Sequence, residues 1–188
     1  MRQKDEAKAH DILRAALDEI QSVGLAGLSI EAVARRAGVA TGTVYIYFKG
    51  KEALLEALYR QVKLAFSDFV LRDDGLPLKA TFFRMSKSYM DYVIQNNAEI
   101  VFVRQLANSP YMTDASREVS ALGARPVTAL LERGKAEQLL KDLDTTWMMT
   151  FLSETLKAMA ALAANMPMDQ RLAFQDTVAT LCWDALKA

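Results

Sequence analysis

The chain has 188 residues, 52% of them hydrophobic, and its 23 lysines and arginines balance 23 aspartates and glutamates. This length allows one domain or two small ones, with enough apolar residues for a sizeable core. The zero net charge excludes a uniformly basic or acidic molecule, so any charged binding surface depends on where the charges are placed.

The sequence lacks the features of a disulfide-bonded, secreted or membrane-spanning protein. Its single cysteine, Cys182, excludes an internal disulfide. The charged residues 1–6 lack the apolar centre of a signal peptide, and the longest apolar run, residues 158–164, is far too short to span a bilayer. We therefore expect a soluble, cytoplasmic protein with no membrane partner.

Apolar side chains recur at helical spacing from the start of the chain. Residues 5–23 predict a first helix, which Gly24 ends as a left-handed cap. Ser29 is the predicted N-cap of a second helix over residues 30–37, and Gly38 allows the sharp turn that follows it.

The next segment has conflicting signals. Residues 43–48 are rich in β-branched and aromatic side chains, so their propensity favours a strand. No other segment resembles a pairing strand, and a lone strand would leave its backbone groups unpaired. We therefore predict a short third helix, capped by Thr41, in which Val44 and Phe48 lie one turn apart and face inward. A longer fourth helix follows over residues 51 to about 70.

The rest of the chain is also helical in its periodicity, and the predicted fold class is all-α. Further helices are predicted near residues 77–95, 97–107, 114–133, 144–164 and 168–187. Residues 73–77, Asp-Asp-Gly-Leu-Pro, form the strongest break in the chain. Gly134 is the predicted end of the helix over residues 114–133. We assign residues 1–50 to a first domain and residues 51–188 to a second, with the helix at 51–71 connecting them.

The short third helix carries the groups that a reader of DNA needs. A helix, a turn and a second, short helix form the common device for the major groove. Gly42 has no side chain, so the backbone there allows a close approach to the duplex. The remaining assignments are Thr41 and Thr43 to base edges, and Tyr45, Tyr47 and Lys51 to the sugar-phosphate backbone. From spacing alone, it stays open whether these side chains merely solvate a helical corner.

Residues 29–54, SIEAVARRAGVATGTVYIYFKGKEAL, resemble the signature of the TetR (tetracycline repressor) family of transcriptional regulators. The resemblance covers about residues 8–60, and the remainder agrees with the family in length and helical content. It implies a three-helix, helix-turn-helix DNA-binding domain, followed by a helical bundle for ligand binding and dimerisation. The implied function is a homodimeric repressor that a small molecule releases from a palindromic double-stranded operator.

Residue by residue, the resemblance implies a set of DNA contacts. They are Thr41, Gly42 and Thr43 at the leading edge of the recognition helix, Tyr45 and Tyr47 at phosphate-contacting aromatic positions, Lys51 at the phosphate-binding lysine, and Ser29 at the hydroxyl position that begins the second helix. Three positions depart from the pattern. Ala40 replaces a frequent serine, Gly50 replaces a capping residue at small cost, and Ile46 stands at a variable, often polar position, so a base contact there has to be apolar.

The predicted helix over residues 144–164 is apolar nearly all round, so it must be buried on more than one side. A monomer core or a subunit interface would each satisfy this condition. The resemblance implies that this helix and the last one pair with their symmetry mates in a homodimer. The predicted interface residues are Phe151, Leu152, Met159, Leu162, Phe174, Val178 and Leu181.

Aromatic and methionine side chains of the later helices are candidates for a ligand cavity, because such pockets are mostly apolar. The same residues equally suit a plain core. They are Phe82, Met85, Tyr89, Tyr92, Phe102, Tyr111, Trp147, Met148 and Phe151. The resemblance implies a small-molecule inducer, and this lining favours a small hydrophobic one. A pair of inward carboxylates among Asp91, Glu99 and Glu154 would instead favour a cation.

The sequence gives no sign of catalytic chemistry. His10 is the only histidine, and there is no Cys/His cluster, glycine-rich phosphate loop or nucleophile elbow. We therefore predict a non-enzyme that needs no metal or cofactor. Two alternatives stay open: a helical adaptor whose helix-turn-helix is scaffolding, and an architectural DNA-binding protein without an inducer.

Overall fold

The protein, as a computed structural model, is described over residues 2–71 and 75–188, with side chains from Glu6 onward. Within these residues it consists of helices and connecting segments, with no strand. The helices are α1 (Arg2–Gly27), α2 (Ile30–Arg36), α3 (Thr41–Tyr47), α4 (Lys51–Val70), α5 (Leu78–Gln95), α6 (Asn97–Ala107), α7 (Asp114–Ala136), α8 (Thr145–Ala163) and α9 (Met168–Leu186). The all-α prediction is confirmed.

The chain forms two compact units. The first comprises Met1–Leu64 and Ala98–Ser120, and the second comprises Ala65–Asn97 and Ala121–Ala188. The predicted boundary at residue 50 divides the chain by function rather than by compactness, and it stays a prediction. Of the predicted break after α4, Asp73 and Asp74 lie outside the described residues. No helix in the described part of the chain combines the length and apolar character needed to cross a membrane.

The core of the first unit draws side chains from α1, α2, α3, α4 and α6. Its fully buried members include Ile12, Ala16, Val33, Val44, Leu54, Leu55, Phe102 and Leu106. A polar contact adds to this packing: the Leu25 backbone N–H donates to the side-chain oxygen of Gln105 at 3.2 Å. Because Phe102 and Leu106 have no exposed surface, α6 is an integral part of this core.

Glycines set the chain direction around the first two helices. Gly24 has φ 73° and ψ 169° and kinks α1, so the helix bends where the sequence predicted its end. That ψ value is extended rather than left-handed helical, a conformation nearly confined to glycine. Gly38 has φ 68°, which confirms the predicted turn, and Val39 then packs against the core.

The short third helix, predicted although the propensity of residues 43–48 favours a strand, is confirmed as α3. Val44 is fully buried and Phe48, 8% exposed, lies just beyond the helix in an extended conformation. The predicted cap is wrong: Ala40 is the N-cap, it makes no side-chain bond, and Thr41 is the first helical residue. Burial of Val44 and Phe48 thus determines the structure here, because tertiary packing overrides both strand propensity and the lack of a cap.

In the second unit, α5 packs against α8 and α9, and α8 packs against α9. Phe82 of α5 meets Trp183 of α9 edge-on, with ring centroids 5.3 Å apart. Gln175 of α9 is fully buried, and its side-chain nitrogen donates to Asp91 Oδ1 of α5 at 2.6 Å. A buried amide needs a partner, so this bond favours a single register between the two helices.

Gly134 does not end α7 as predicted, since the helix continues to Ala136. Its role is close packing. A Cβ atom at this position would lie 2.5 Å from Leu140 Cδ1 and 2.7 Å from Leu140 Cγ, and Leu140 is 2% exposed. The Leu139 and Leu140 backbone N–H groups donate to the Gly134 carbonyl at 2.9 and 3.0 Å, so Leu140 folds back onto Gly134 in the turn that ends α7. The buried leucine has little room to move, so a glycine is needed at this position.

We expect Gly134→Ala to destabilise the protein by about 1–3 kcal/mol through overpacking. This loss should exceed the gain of about 1 kcal/mol from the better helix propensity of alanine. Urea denaturation followed by circular dichroism measures the change. In a Leu140→Ala background the same substitution should be neutral or stabilising, and an equal loss in both backgrounds would refute the packing explanation.

Candidate nucleic-acid interface

The outward face of α3 is formed by side chains that are exposed to solvent. Tyr45 is 51% exposed and Ile46 is 80% exposed. Gly42, one turn before Ile46, is exposed, and a Cβ atom there would meet nothing within 4 Å. The helix therefore presents a partly apolar face with an open backbone position, while Thr41 and Thr43 are half-buried beside it.

Tyr47 lies at the boundary between this face and the core. Its side chain is half-buried and packs against the core of the first unit, with its ring centroid 6.4 Å from that of Phe48. Packing of this kind fixes the ring while leaving part of the side chain accessible. The two tyrosines thus differ, since Tyr45 is held less firmly than Tyr47.

Ser29 is the N-cap of α2, as predicted. Its hydroxyl oxygen accepts a hydrogen bond from the Ala32 backbone N–H at 3.1 Å. The hydroxyl hydrogen is not used in that bond, because the oxygen acts as the acceptor. Ser29 therefore both stabilises α2 and keeps one donor for another group.

Lys51 begins α4 and is held by two neutral groups. Its ammonium donates to the Ala26 backbone carbonyl at 3.3 Å and lies 4.9 Å from the centre of the Tyr111 ring. Neither partner carries a negative charge, so neither of these contacts is an ion pair that would offset the charge of the lysine. Gly50 before it has φ 136°, a region that favours glycine, and this accounts for the glycine in place of a capping residue.

Two more basic residues were not predicted as part of this surface. Arg35, in the last turn of α2, and Lys49, directly after Phe48, are both exposed. Neither forms an ion pair among the described residues, whereas Arg36 is held by Glu19 at 2.8 Å. The sequence position of Lys49, two residues after the end of α3, was the available signal.

In the second unit, the predicted dimer residues fall into three groups, and Met159 and Phe174 form the half-buried one. Phe151, Leu162 and Leu181 are 40%, 60% and 63% exposed. Leu152 and Val178 are buried inside the unit, so they are core residues that a partner subunit cannot reach. The prediction missed three further exposed apolar side chains on the same two helices: Trp147, Met168 and Leu172.

The predicted pocket residues are divided between the compact units. Phe102 and Tyr111 belong to the first, and the others belong to the second. Trp147 is 72% exposed, so within the single chain it lines no enclosed cavity. The carboxylates already have partners: Asp91 accepts from Gln175, and Glu154 pairs with Lys157 at 2.7 Å.

Among the predicted pocket residues, Tyr89 has a shifted pKa. Its burial, together with the negative charge of Glu154, raises its pKa to about 12. Its ring lies edge-on to Phe66 with centroids 5.5 Å apart. Tyr89 is therefore a neutral phenol at physiological pH, within an aromatic cluster.

Comparison with known proteins agrees with this geometry. Residues 12–58 match a domain described as bacterial regulatory proteins, tetR family, and residues 77–187 match one described as tetracyclin repressor-like, C-terminal domain. The chain belongs to the TetR family. It is therefore a transcriptional regulator with a DNA-binding helix-turn-helix, and its relatives are regulators rather than enzymes.

Individual relatives differ in how much they share with this TetR-family chain. A BetI 1 regulator from Chromohalobacter salexigens is 40% identical over 65 residues, which cover 35% of this chain and 32% of that protein. The match thus spans about a third of the length of such curated relatives.

Solved structures of the family extend the similarity to almost the full chain. A TetR-family regulator from Shewanella sp. PV-4 has a TM-score of 0.83 at 25% identity and covers 96% of this chain and 98% of that one. FadR from Bacillus subtilis, in complex with stearoyl-CoA, has a TM-score of 0.75 at 20% identity, with coverage of 92% and 96%. At the latter identity, the similarity shows a common fold.

The two properties of Ser29 can be separated by substitution in this TetR-family regulator. Ser29→Asp keeps an N-cap acceptor, so we expect the free energy of unfolding to change by less than about 0.5 kcal/mol. If Ser29 also donates to a DNA phosphate, the added negative charge should weaken DNA binding severalfold. Ser29→Ala should lose about 1 kcal/mol of stability. Urea denaturation and fluorescence anisotropy measure the two effects, and undiminished DNA binding by Ser29→Asp would exclude a phosphate contact.

Proposed function

We propose that this protein is a homodimeric repressor that binds a palindromic operator and is released by a small hydrophobic ligand. The observation that carries the DNA part is the presentation of α3. Val44 and Phe48 hold the helix down, while Gly42, Tyr45 and Ile46 face solvent. A face of this kind is free to contact a partner outside the chain, and the major groove is wide enough to admit an α-helix.

The roles proposed for the DNA contacts follow from accessibility and chemistry. Thr41, Gly42, Thr43 and Ile46 approach the bases, because they lie on or beside the open face of α3. The phosphate contacts are assigned to the donors around it: Ser29, Tyr45, Tyr47 and Lys51. Phosphate contacts set affinity and register, and base contacts set sequence preference.

Selection from a random duplex library tests this proposal. The protein should enrich a palindrome with half-sites about one helical turn apart, since a twofold dimer places two recognition helices in successive major grooves. Its affinity for the selected duplex should fall steeply with salt, because bound phosphates release counterions. Equal affinity for selected and random duplexes would contradict the proposal and would favour an architectural protein.

Ile46 is proposed to read the methyl group of a thymine. An exposed isoleucine offers no hydrogen bond, and the thymine methyl is the apolar feature of the major groove. Replacing that thymine by uracil in the selected duplex should weaken binding about fourfold per half-site, the value of one buried methyl group. Anisotropy titrations with single uracil substitutions locate the base.

The matched variants for this prediction are Ile46→Ala and Val23→Ala. Val23 is another exposed apolar residue of the same unit, at 50% exposure, but it lies on α1. Ile46→Ala should bind thymine and uracil duplexes equally, whereas Val23→Ala should discriminate like the unaltered protein. Sensitivity to uracil that persists in Ile46→Ala would assign the methyl contact to another residue, such as Thr43.

The dimer is proposed to form through the uncovered sides of α8 and α9. Trp147, Phe151 and Leu162 lie along one side of α8, and Leu181 is exposed on α9. Clustered large apolar side chains of this kind mark an interaction surface. A self-complementary interface would place the same patch on both subunits.

Leu181→Glu should make the protein monomeric, because it places two charges in the proposed interface. Sedimentation velocity measures the mass in solution. Leu64→Glu is the matched control, since Leu64 is similarly exposed, at 57%, but lies on α4 in the first unit. A dimer that tolerates Leu181→Glu would place the interface elsewhere.

The ligand part of the proposal concerns the second unit. Tyr89 and Met85 are half-buried, and the neutral phenol of Tyr89 offers a hydrogen-bond donor beside apolar side chains. FadR of the same fold is bound to stearoyl-CoA, so this fold accommodates a ligand that carries a long apolar chain. Its binding would shift the dimer toward a state with low operator affinity. A thermal-shift screen identifies compounds that raise the melting temperature of the protein. Such a ligand should also weaken binding of the protein to its operator, and unchanged operator binding would contradict the release mechanism.

A further inference from the structure

Tyr111 lies outside the helix-turn-helix in sequence, yet it contacts the proposed phosphate-binding lysine. The distance from Lys51 Nζ to the centre of the Tyr111 ring is 4.9 Å. An ammonium within about 6 Å of an aromatic ring is attracted to the face of the ring. We propose that Tyr111 is a positioning residue for DNA binding, which holds the Lys51 ammonium in place for a DNA phosphate. This inference rests on the proposed DNA contact of Lys51.

The segment that carries Tyr111 is itself fixed. The Ser109 side-chain oxygen accepts a hydrogen bond from the Tyr111 backbone N–H at 3.2 Å, and the Ser109 hydroxyl donates to the Leu106 carbonyl at 2.8 Å. Thr113 donates to Glu56 of α4 at 3.1 Å. Tyr111 also packs against the core of the first unit. The ring is therefore tied to the same helix that begins with Lys51.

The two partners of Lys51 leave its charge and its donors available. The Ala26 carbonyl accepts one of the three ammonium hydrogens at 3.3 Å. The Tyr111 ring attracts the cation without cancelling its charge, as a carboxylate would. Lys51 forms no ion pair among the described residues of the chain. The geometry thus restrains a flexible lysine and preserves its affinity for a phosphate.

Restraint of the free lysine lowers the entropic cost of binding. A lysine side chain has many rotamers in solution, and part of this rotamer entropy is lost when the side chain is fixed on DNA. Because Tyr111 already limits those rotamers, less entropy is lost when the phosphate binds. Tyr111 therefore contributes to DNA affinity without touching DNA.

The test compares Tyr111→Leu and Tyr111→Phe in anisotropy titrations. The probes are the duplex selected by the unaltered protein and a random-sequence duplex at low salt, because a phosphate contact acts on both. We expect Tyr111→Leu to weaken binding about two- to fivefold per reading head, which lies in the range of the entropic cost of immobilising one flexible side chain. Tyr111→Phe, which keeps the ring, should restore affinity. Unchanged or tighter binding by Tyr111→Leu would overturn the proposal.

A second background separates positioning from structural damage. In Lys51→Met protein the loss caused by Tyr111→Leu should disappear, since there is no ammonium left to position. A loss of the same size in both backgrounds would mean that Tyr111 is merely structural. Met112→Leu is the control within the same segment and should bind normally, since Met112 packs on the same core.

If Tyr111→Leu does not fold, replacement of Tyr111 by pentafluorophenylalanine gives the same information. That ring keeps its shape and reverses the electrostatic attraction, so affinity should still fall. Full affinity with the fluorinated ring would overturn the proposal. Failure of the proposed function is a different outcome: Lys51→Met would then leave DNA binding unchanged, or the unaltered protein would bind neither duplex.

Discussion

The burial of Val44 and Phe48 is the interaction on which the DNA-binding surface depends. A helix of seven residues is unstable on its own, and α3 has no side-chain cap to help it. Each buried apolar side chain contributes roughly 1.5–3 kcal/mol, which exceeds the small strand preference of the segment. The two anchors also determine which side chains face outward, so they set the proposed DNA-reading face as well as the helix.

Much of this fold could be predicted because its signals are local. Ser29 caps α2 as expected, and the helical periodicity placed α4 to α9 within a few residues of their observed ends. Side-chain contacts could not be predicted in this way. Gly134 was interpreted as a helix end, whereas it lies within α7 and leaves room for Leu140 of the turn that follows. The same limit applies to Tyr111, whose contact with Lys51 joins positions that no sequence spacing relates.

The apolar pattern of α8 predicted burial on more than one side but not which residues lie on each side. Leu152 is directed into the unit, whereas Trp147 and Leu162 are exposed. A periodicity of 3.6 residues divides a helix into faces only when polar residues mark one of them. In a helix that is apolar all round, the division is decided by the packing of α5 and α9 against it. Interface residues therefore follow from the three-dimensional arrangement rather than from composition.

Ser29 and Lys51, two of the proposed phosphate contacts, show how a small domain holds polar side chains in place without using all of their hydrogen bonds. Each makes a bond within the protein that leaves part of its hydrogen-bonding capacity unused: Ser29 accepts from Ala32, and Lys51 donates to Ala26. Both partners are neutral backbone groups, so neither bond removes charge or blocks every donor. Side chains held in this way lose less entropy on binding than free ones. Since a chain of zero net charge lacks a strong overall attraction to DNA, its affinity has to come from a few well-placed donors of this kind.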